Sequence, residues 1–98
     1  MDKVNLIIVA TPNPAEKAAL DHYLESMHQL YQKVGAQPVA KYKISETLIG
    51  TQNPHLVSVM EFPNQEAVNQ VFQGEAYQQL LPYREKAFVK VEAYVGQA

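Results

Sequence analysis

Apolar residues follow three different rhythms along this chain, and each change of rhythm marks an element. Leu6-Ile7-Ile8-Val9-Ala10 is a continuous apolar run closed by Thr11-Pro12. It predicts a strand over Val4–Ala10 that is buried on both faces. Asn13-Pro14-Ala15-Glu16 then reads as a helix start, with Asn13 as the cap, Pro14 where a missing N–H is harmless, and Glu16 placed to close a capping box. Leu20, Tyr23, Leu24, Met27, Leu30, Tyr31 and Val34 recur at helical spacing on one face, and Gly35 supplies a left-handed stop. From Val39 to Ile49 the rhythm becomes alternation. Tyr42, Ile44 and Leu48 point one way, and Lys41, Lys43, Ser45 and Thr47 the other, which predicts a half-exposed strand. The turn formers of Gly50–Pro54 predict a hairpin into a third strand, His55–Phe62. Pro63 ends that strand and Asn64 caps a second helix with an inner face of Ala67, Val68, Val71 and Phe72. Gly74 interrupts it, and a further helical piece carries Tyr77, Leu80 and Leu81. Phe88–Val95 alternates again, with Val89, Val91, Ala93 and Val95 set against Phe88, Lys90, Glu92 and Tyr94.

The order is β-α-β-β-α-β in a single domain, residues 1–98. Its standard packing is a four-stranded antiparallel sheet with the helices on one face. Right-handed crossovers place the first and third strands centrally and the second and fourth at the edges. Two helices cover only one face of such a sheet. The other face would expose either Ile7 and Val9 or Leu6 and Ile8, at about 25 cal/mol per Å² of wetted apolar surface. A second copy packed on that face relieves the cost, so a homodimer through the sheet face is expected.

Composition narrows the classes. With 98 residues and 47% hydrophobic content the chain builds one modest core. It has no cysteine, which removes disulfides, thiolate metal sites and a thiol nucleophile, and points to the cytoplasm. The net charge is −2 and the eight basic residues form no run. The basic stripe of a nucleic-acid binder is missing. The apolar run near the start is too short and interrupted for a membrane span and lacks a cleavage pattern, so it is expected to be a strand.

Glu61-Phe62-Pro63 closes a strand, Ala67 and Phe72 lie in the next helix, and Tyr77-Gln78, Pro82 and Arg84 precede the Phe88–Val95 strand. Over about residues 57–95 this pattern resembles a bacterial family of unknown function, numbered thirteen-thirty, in the dimeric α+β barrel superfamily. The resemblance implies an α+β, ferredoxin-like fold whose sheets pair in a dimer. The first half agrees in layout. Gly35-Ala36-Gln37 stands where family members often carry Gly-Gly-Arg, and Gly74-Glu75-Ala76-Tyr77 lacks the usual Ser-Pro step. The superfamily includes cofactor-free monooxygenases, isomerases, haem enzymes and stress-related proteins, so the resemblance implies no single chemistry.

Arg84 is the most informative polar residue. It follows Tyr77 by seven and Leu81 by three, which places it on an inner helix face, where a charge needs a partner. Glu61 is a candidate mate. Arg84 then serves either a structural ion pair or, with Tyr77, an anionic or carbonyl group of a ligand. Asn5, alone among apolar neighbours, is a second pocket candidate. Glu25 and His28 have the E-x-x-H spacing of di-iron helices, but no second copy accompanies them. Asp21, Glu25, His28 and Gln32 are expected to form a solvated stripe. His22 and His28 sit on different helix faces, His55 is expected at a loop end, and Ser58 has no visible triad. The six tyrosines suit either core filling or an aromatic-lined pocket. The expectation is a cofactor-free, metal-free homodimer that binds a small apolar or aromatic ligand between sheet and helices, with Arg84, Tyr77, Glu61 and Asn5 as polar contacts. The alternatives are a cofactor-free monooxygenase or isomerase of an aromatic or lactone substrate, and a structural or stress-related protein without ligand.

Overall fold

The computed structural model describes residues 3–97. Its elements are β1 (Val4–Pro12), a 3-10 turn (Pro14–Glu16), α1 (Lys17–Lys33), β2 (Gln37–Lys43), β3 (Leu56–Phe62), α2 (Gln65–Phe72), α3 (Glu75–Gln78), α4 (Leu81–Ala87) and β4 (Phe88–Gly96). The strands form one sheet in the order β2-β3-β1-β4, with every neighbouring pair antiparallel. β1, with its continuous apolar run, and β3 are central, as expected, and the arrangement is the ferredoxin-like α+β fold.

Local chemistry sets the joints. The Asn13 carboxamide accepts a hydrogen bond from the Ala15 N–H at 3.0 Å. That bond tightens the entry into a 3-10 turn, so Glu16 makes no capping bond and the expected capping box does not form. Gly35 leaves α1 with φ of 76°, a left-handed conformation that favours glycine. Asn64 caps α2 by accepting from the Ala67 N–H at 2.8 Å. A Cβ on Gly74 would lie 2.7 Å from the Gln70 carbonyl oxygen, so glycine alone fits where α2 turns into α3.

Side-chain parity divides the sheet. Val4, Leu6 and Ala10 are buried beneath the helices, joined by Phe62, which pairs with Val4. Ile7 and Val9 take the opposite face, opposite Val59 and Val57 on β3. Tyr94 of β4 pairs with Ile7 and Tyr42 of β2 pairs with Val57, and both tyrosines are exposed. Among the described residues no helix covers this face, on which Ala40, Val59, Ile7 and Tyr94 form an apolar strip across the four strands.

Two strand expectations change. The second strand was expected over Val39–Ile49 and instead runs from Gln37 to Lys43. The ladder ends with the Ile44 N–H donating to the His55 carbonyl at 2.8 Å, because β3 begins only at Leu56. Beyond it the chain loops out, and Leu48 and Ile49 are 85% and 96% exposed. Phe88 was expected on the same side as Lys90. A register shift between Thr11 and Pro12 pairs Pro12 with Phe88 and leaves Val89 as the extra residue. This bulge turns Phe88 toward the helices, where it meets the Tyr23 ring edge-on at 5.6 Å.

Candidate functional site

A cleft of about 960 Å³ lies between α1 and the helix-facing side of the sheet. All four strands contribute to it: Ile8 and Ala10 from β1, Lys41 from β2, Ser58 and Met60 from β3, and Val91 and Ala93 from β4. Leu20, Tyr23, Leu24, Met27 and Tyr31 line it from α1, while α4 supplies Arg84 and Glu85. The amphipathic pattern of α1 explains this placement, since its apolar stripe faces the sheet.

Three polar side chains of the cleft, Arg84, Tyr77 and Tyr23, meet at one point. Arg84 Nη1 donates to Tyr77 Oη at 2.9 Å, and Tyr23 Oη lies 3.5 Å from the same oxygen. The guanidinium also sits 5.9 Å from the centre of the Tyr77 ring. Phe72 braces that ring at 4.9 Å. Arginine only donates, so Tyr77 accepts from it. The two phenols have two protons and one mutual contact, which leaves at least one O–H for a group in the cleft. Arg84 is half-buried, and among the described residues no carboxylate lies within ion-pair distance of it. The cluster is therefore rich in donors and carries an unneutralised positive charge, the chemistry that holds an oxyanion or a carbonyl oxygen.

Burial pushes the Tyr23 phenol well above the usual value near 10, and the Tyr77 hydroxyl adds to the rise while Arg84 opposes it. Burial raises Tyr31 as well, again with a contribution from Tyr77. Both groups stay protonated at neutral pH and act as donors rather than bases. A phenol whose folded value is raised contributes stability that is complete below the unfolded value near 10 and is lost as pH rises above it. Stability is expected to hold to about pH 9, to begin to fall near pH 10, and above it to approach a loss of about 1.4 kcal/mol per pH unit for each of the two phenols. Urea melts through the alkaline range measure this. Tyr23→Phe is expected to remove about half of the slope, and an unchanged slope would contradict the assignment.

The sequence matches the family described as domain of unknown function DUF1330 over residues 6–95. The chain belongs to the DUF1330 family. The match takes in the first half, where the sequence pattern agreed in layout only. A comparison with curated proteins finds no match. Among solved structures, the DUF1330 chain is similar to the RPA0582 protein of unknown function from Rhodopseudomonas palustris, with TM-score 0.85 and 14% identity over 99% of this chain and 82% of that one. It is similar to a DABB family protein with a ferredoxin-like fold from Mesorhizobium loti, with TM-score 0.69 and 13% identity over 100% and 98% of the two chains. It is also similar to SnoaB, a cofactor-independent oxygenase from Streptomyces nogalater, with TM-score 0.69 and 10% identity over 100% and 94%. At these identities the likeness establishes the shared fold.

The DUF1330 structure brings together two of the four residues expected to form the site. Arg84 and Tyr77 meet in the cleft. Asn5 and Glu61 pair with each other across β1 and β3 and belong to the opposite sheet face. Glu61 meets Lys3 at 3.4 Å, so it is not the mate of Arg84. Their odd positions put them in the parity set of Ile7 and Val59, away from the helices. His28, expected on a solvated stripe, lines the cleft although it is exposed. It follows Leu20 and Leu24 at four-residue steps, and that spacing already puts it at the border of the apolar stripe. Tyr23 was legible as an inner-face residue, but its contact with Tyr77 joins positions 54 apart. His22 stacks on Tyr83 with ring centres 4.2 Å apart. Among the described residues no three His, Asp or Glu side chains are grouped to hold a metal, and no helix is long and apolar enough to cross a membrane.

Proposed function

We propose that this DUF1330 chain is a cytoplasmic homodimer that binds a small, largely apolar ligand in the cleft between α1 and the sheet, with Arg84 and Tyr77 as its polar contacts. The observation that carries this reading is a half-buried arginine on a phenol, with no carboxylate within ion-pair distance among the described residues, in a cleft lined mainly by apolar side chains. The volume lies within the range of about 300–1,000 Å³ usual for ligand sites. Asn5 and Glu61 have a different part in this reading: they border the sheet face through which the copies associate. The cysteine-free sequence fits a reducing compartment.

Titration with a panel of aromatic acids and quinols tests the ligand. A saturable rise in melting temperature is expected for at least one class, because a ligand that binds only the folded state stabilises it. Arg84→Ala is expected to weaken binding roughly 10- to 100-fold, the worth of a charge-assisted hydrogen bond. A panel with no saturable shift in the wild type would remove the reading. The oxygenase or isomerase alternative has less support. Those reactions need a base to take a proton from carbon, and the inner cluster consists of donors, while Glu85 and His28 line the cleft without a hydrogen bond to that cluster. Oxygen uptake that vanishes in Tyr77→Phe would reverse that preference.

A further inference from the structure

The shape and charge of the cleft define its ligand more narrowly. We infer that it takes an elongated apolar carboxylate, with the carboxylate on Arg84 and the apolar body lying across the strands toward β2. This deepens the proposed ligand-binding reading and rests on it.

The shape comes from the floor. The lining passes from Val91 on β4 through Ile8 on β1 and Met60 on β3 to Val39 on β2. Three inter-strand spacings of about 4.8 Å give a path of about 14 Å, longer than a single aromatic ring. Exposed apolar side chains stand at both ends of that path, Val39 on one edge strand and Val89 on the other. A compact ligand would leave most of this floor wet, whereas an extended one covers it. Each further methylene buried is worth roughly a fourfold gain in affinity.

The charge comes from the walls. The protein carries a net charge of −2, yet the cleft reverses that sign. Among the described residues, Arg84 and Lys41 line it against the single carboxylate of Glu85. Lys90 also borders the cleft, but its ammonium is held by the Gln52 side chain, and its pairing with Thr11 turns it to the other face. Arg84 spends one N–H on Tyr77 and keeps its remaining donors and its whole charge. A guanidinium fork with free donors matches a carboxylate, and the spare phenolic proton beside it adds a third donor to the same oxygens. Lys41 is exposed on the β2 edge, whereas the half-buried Arg84 and the two phenols meet at the α4 end of the path, so one anionic group at that end of the ligand is the complementary arrangement.

The experiment is calorimetric titration of the full chain with benzoate, biphenyl-4-carboxylate and dodecanoate below micelle-forming concentrations, together with the two long alcohols that correspond to the longer acids. Affinity is expected to rise at least 100-fold from benzoate to one of the long acids, and whichever wins tells an aromatic body from an acyl chain. Each of the two long acids should bind at least tenfold more tightly than its alcohol. Arg84→Gln should abolish that preference while leaving alcohol binding within threefold. Ser58→Phe, which obstructs the floor on β3, should abolish the length dependence and spare benzoate. Benzoate binding as tightly as both long acids would overturn the elongated shape. Alcohols equal to acids in the wild type, or an acid preference unchanged in a folded Arg84→Gln, would overturn the anionic end. Failure of every acid and alcohol to bind would instead overturn the ligand-binding reading beneath both.

Discussion

Phe62→Ala is expected to remove about 3–5 kcal/mol of folding free energy, the range for deleting a buried aromatic ring. Domains of this kind have about 5–15 kcal/mol in total, so the variant stands near the edge of folding. Phe62 is fully buried, 0% exposed, at the end of β3. It pairs with Val4, itself 1% exposed, and meets the Tyr31 ring edge-on at 5.7 Å. Deleting the ring leaves a cavity between two layers that are fixed by other contacts, the sheet ladder below and α1 above. Collapse into it is therefore limited, and the loss should fall toward the upper part of the range. Urea denaturation measures it. A loss below about 1 kcal/mol, typical of surface changes, would mean that the layers do not meet at Phe62. Tyr31 also lines the cleft, so a folded preparation of the variant should bind ligand more weakly than the wild type.

The order of elements was legible because each rhythm has one physical meaning. A continuous apolar run needs both faces covered, and only the two inner strands of this topology approach that condition. The end of β2 was not legible. Alternation continues past Lys43, but a strand needs a partner, and β3 begins at Leu56. Asn5 and Glu61 illustrate a signal present and unused. On β1 the even positions from Val4 to Ala10 are all apolar, while the odd positions include Asn5 and Thr11. The fully apolar set belongs under the helices, so parity alone sends Asn5 to the other face, and the cross-strand pairing takes Glu61 with it. Phe88 and the Tyr23–Tyr77 contact are different. The first depends on a bulge and the second on tertiary packing between positions 54 apart, and neither leaves a local mark. Arg84 was found by helical spacing even though the helix breaks between α3 and α4, because that break preserves the side on which Tyr77 and Arg84 lie.

A chain carrying Val9→Lys together with Val57→Glu is expected to be a folded monomer at micromolar concentration, where the wild type is expected to be a dimer. Val9 and Val57 are directly paired on the two central strands of the uncovered face, and Glu92 flanks Val9 from β4. Within one subunit the new ammonium lies between two carboxylates, an arrangement that cross-strand pairs support. In a sheet-to-sheet dimer the same substitutions take four charges out of water, at several kcal/mol per ion before any pairing. A net cost of about 4 kcal/mol raises the dissociation constant roughly a thousandfold. Light scattering distinguishes the two states, and a monomeric wild type, or a variant that stays dimeric, would contradict association through this face. The substitutions also separate association from binding. Ile8 and Ser58 are the next residues along the same strands and face the cleft, so changes at Val9 and Val57 point away from it. The monomeric variant is expected to keep its ligand affinity within about threefold, well under the tenfold that corresponds to 1.4 kcal/mol. Loss of binding together with the dimer would show that the cleft depends on the partner copy for its shape.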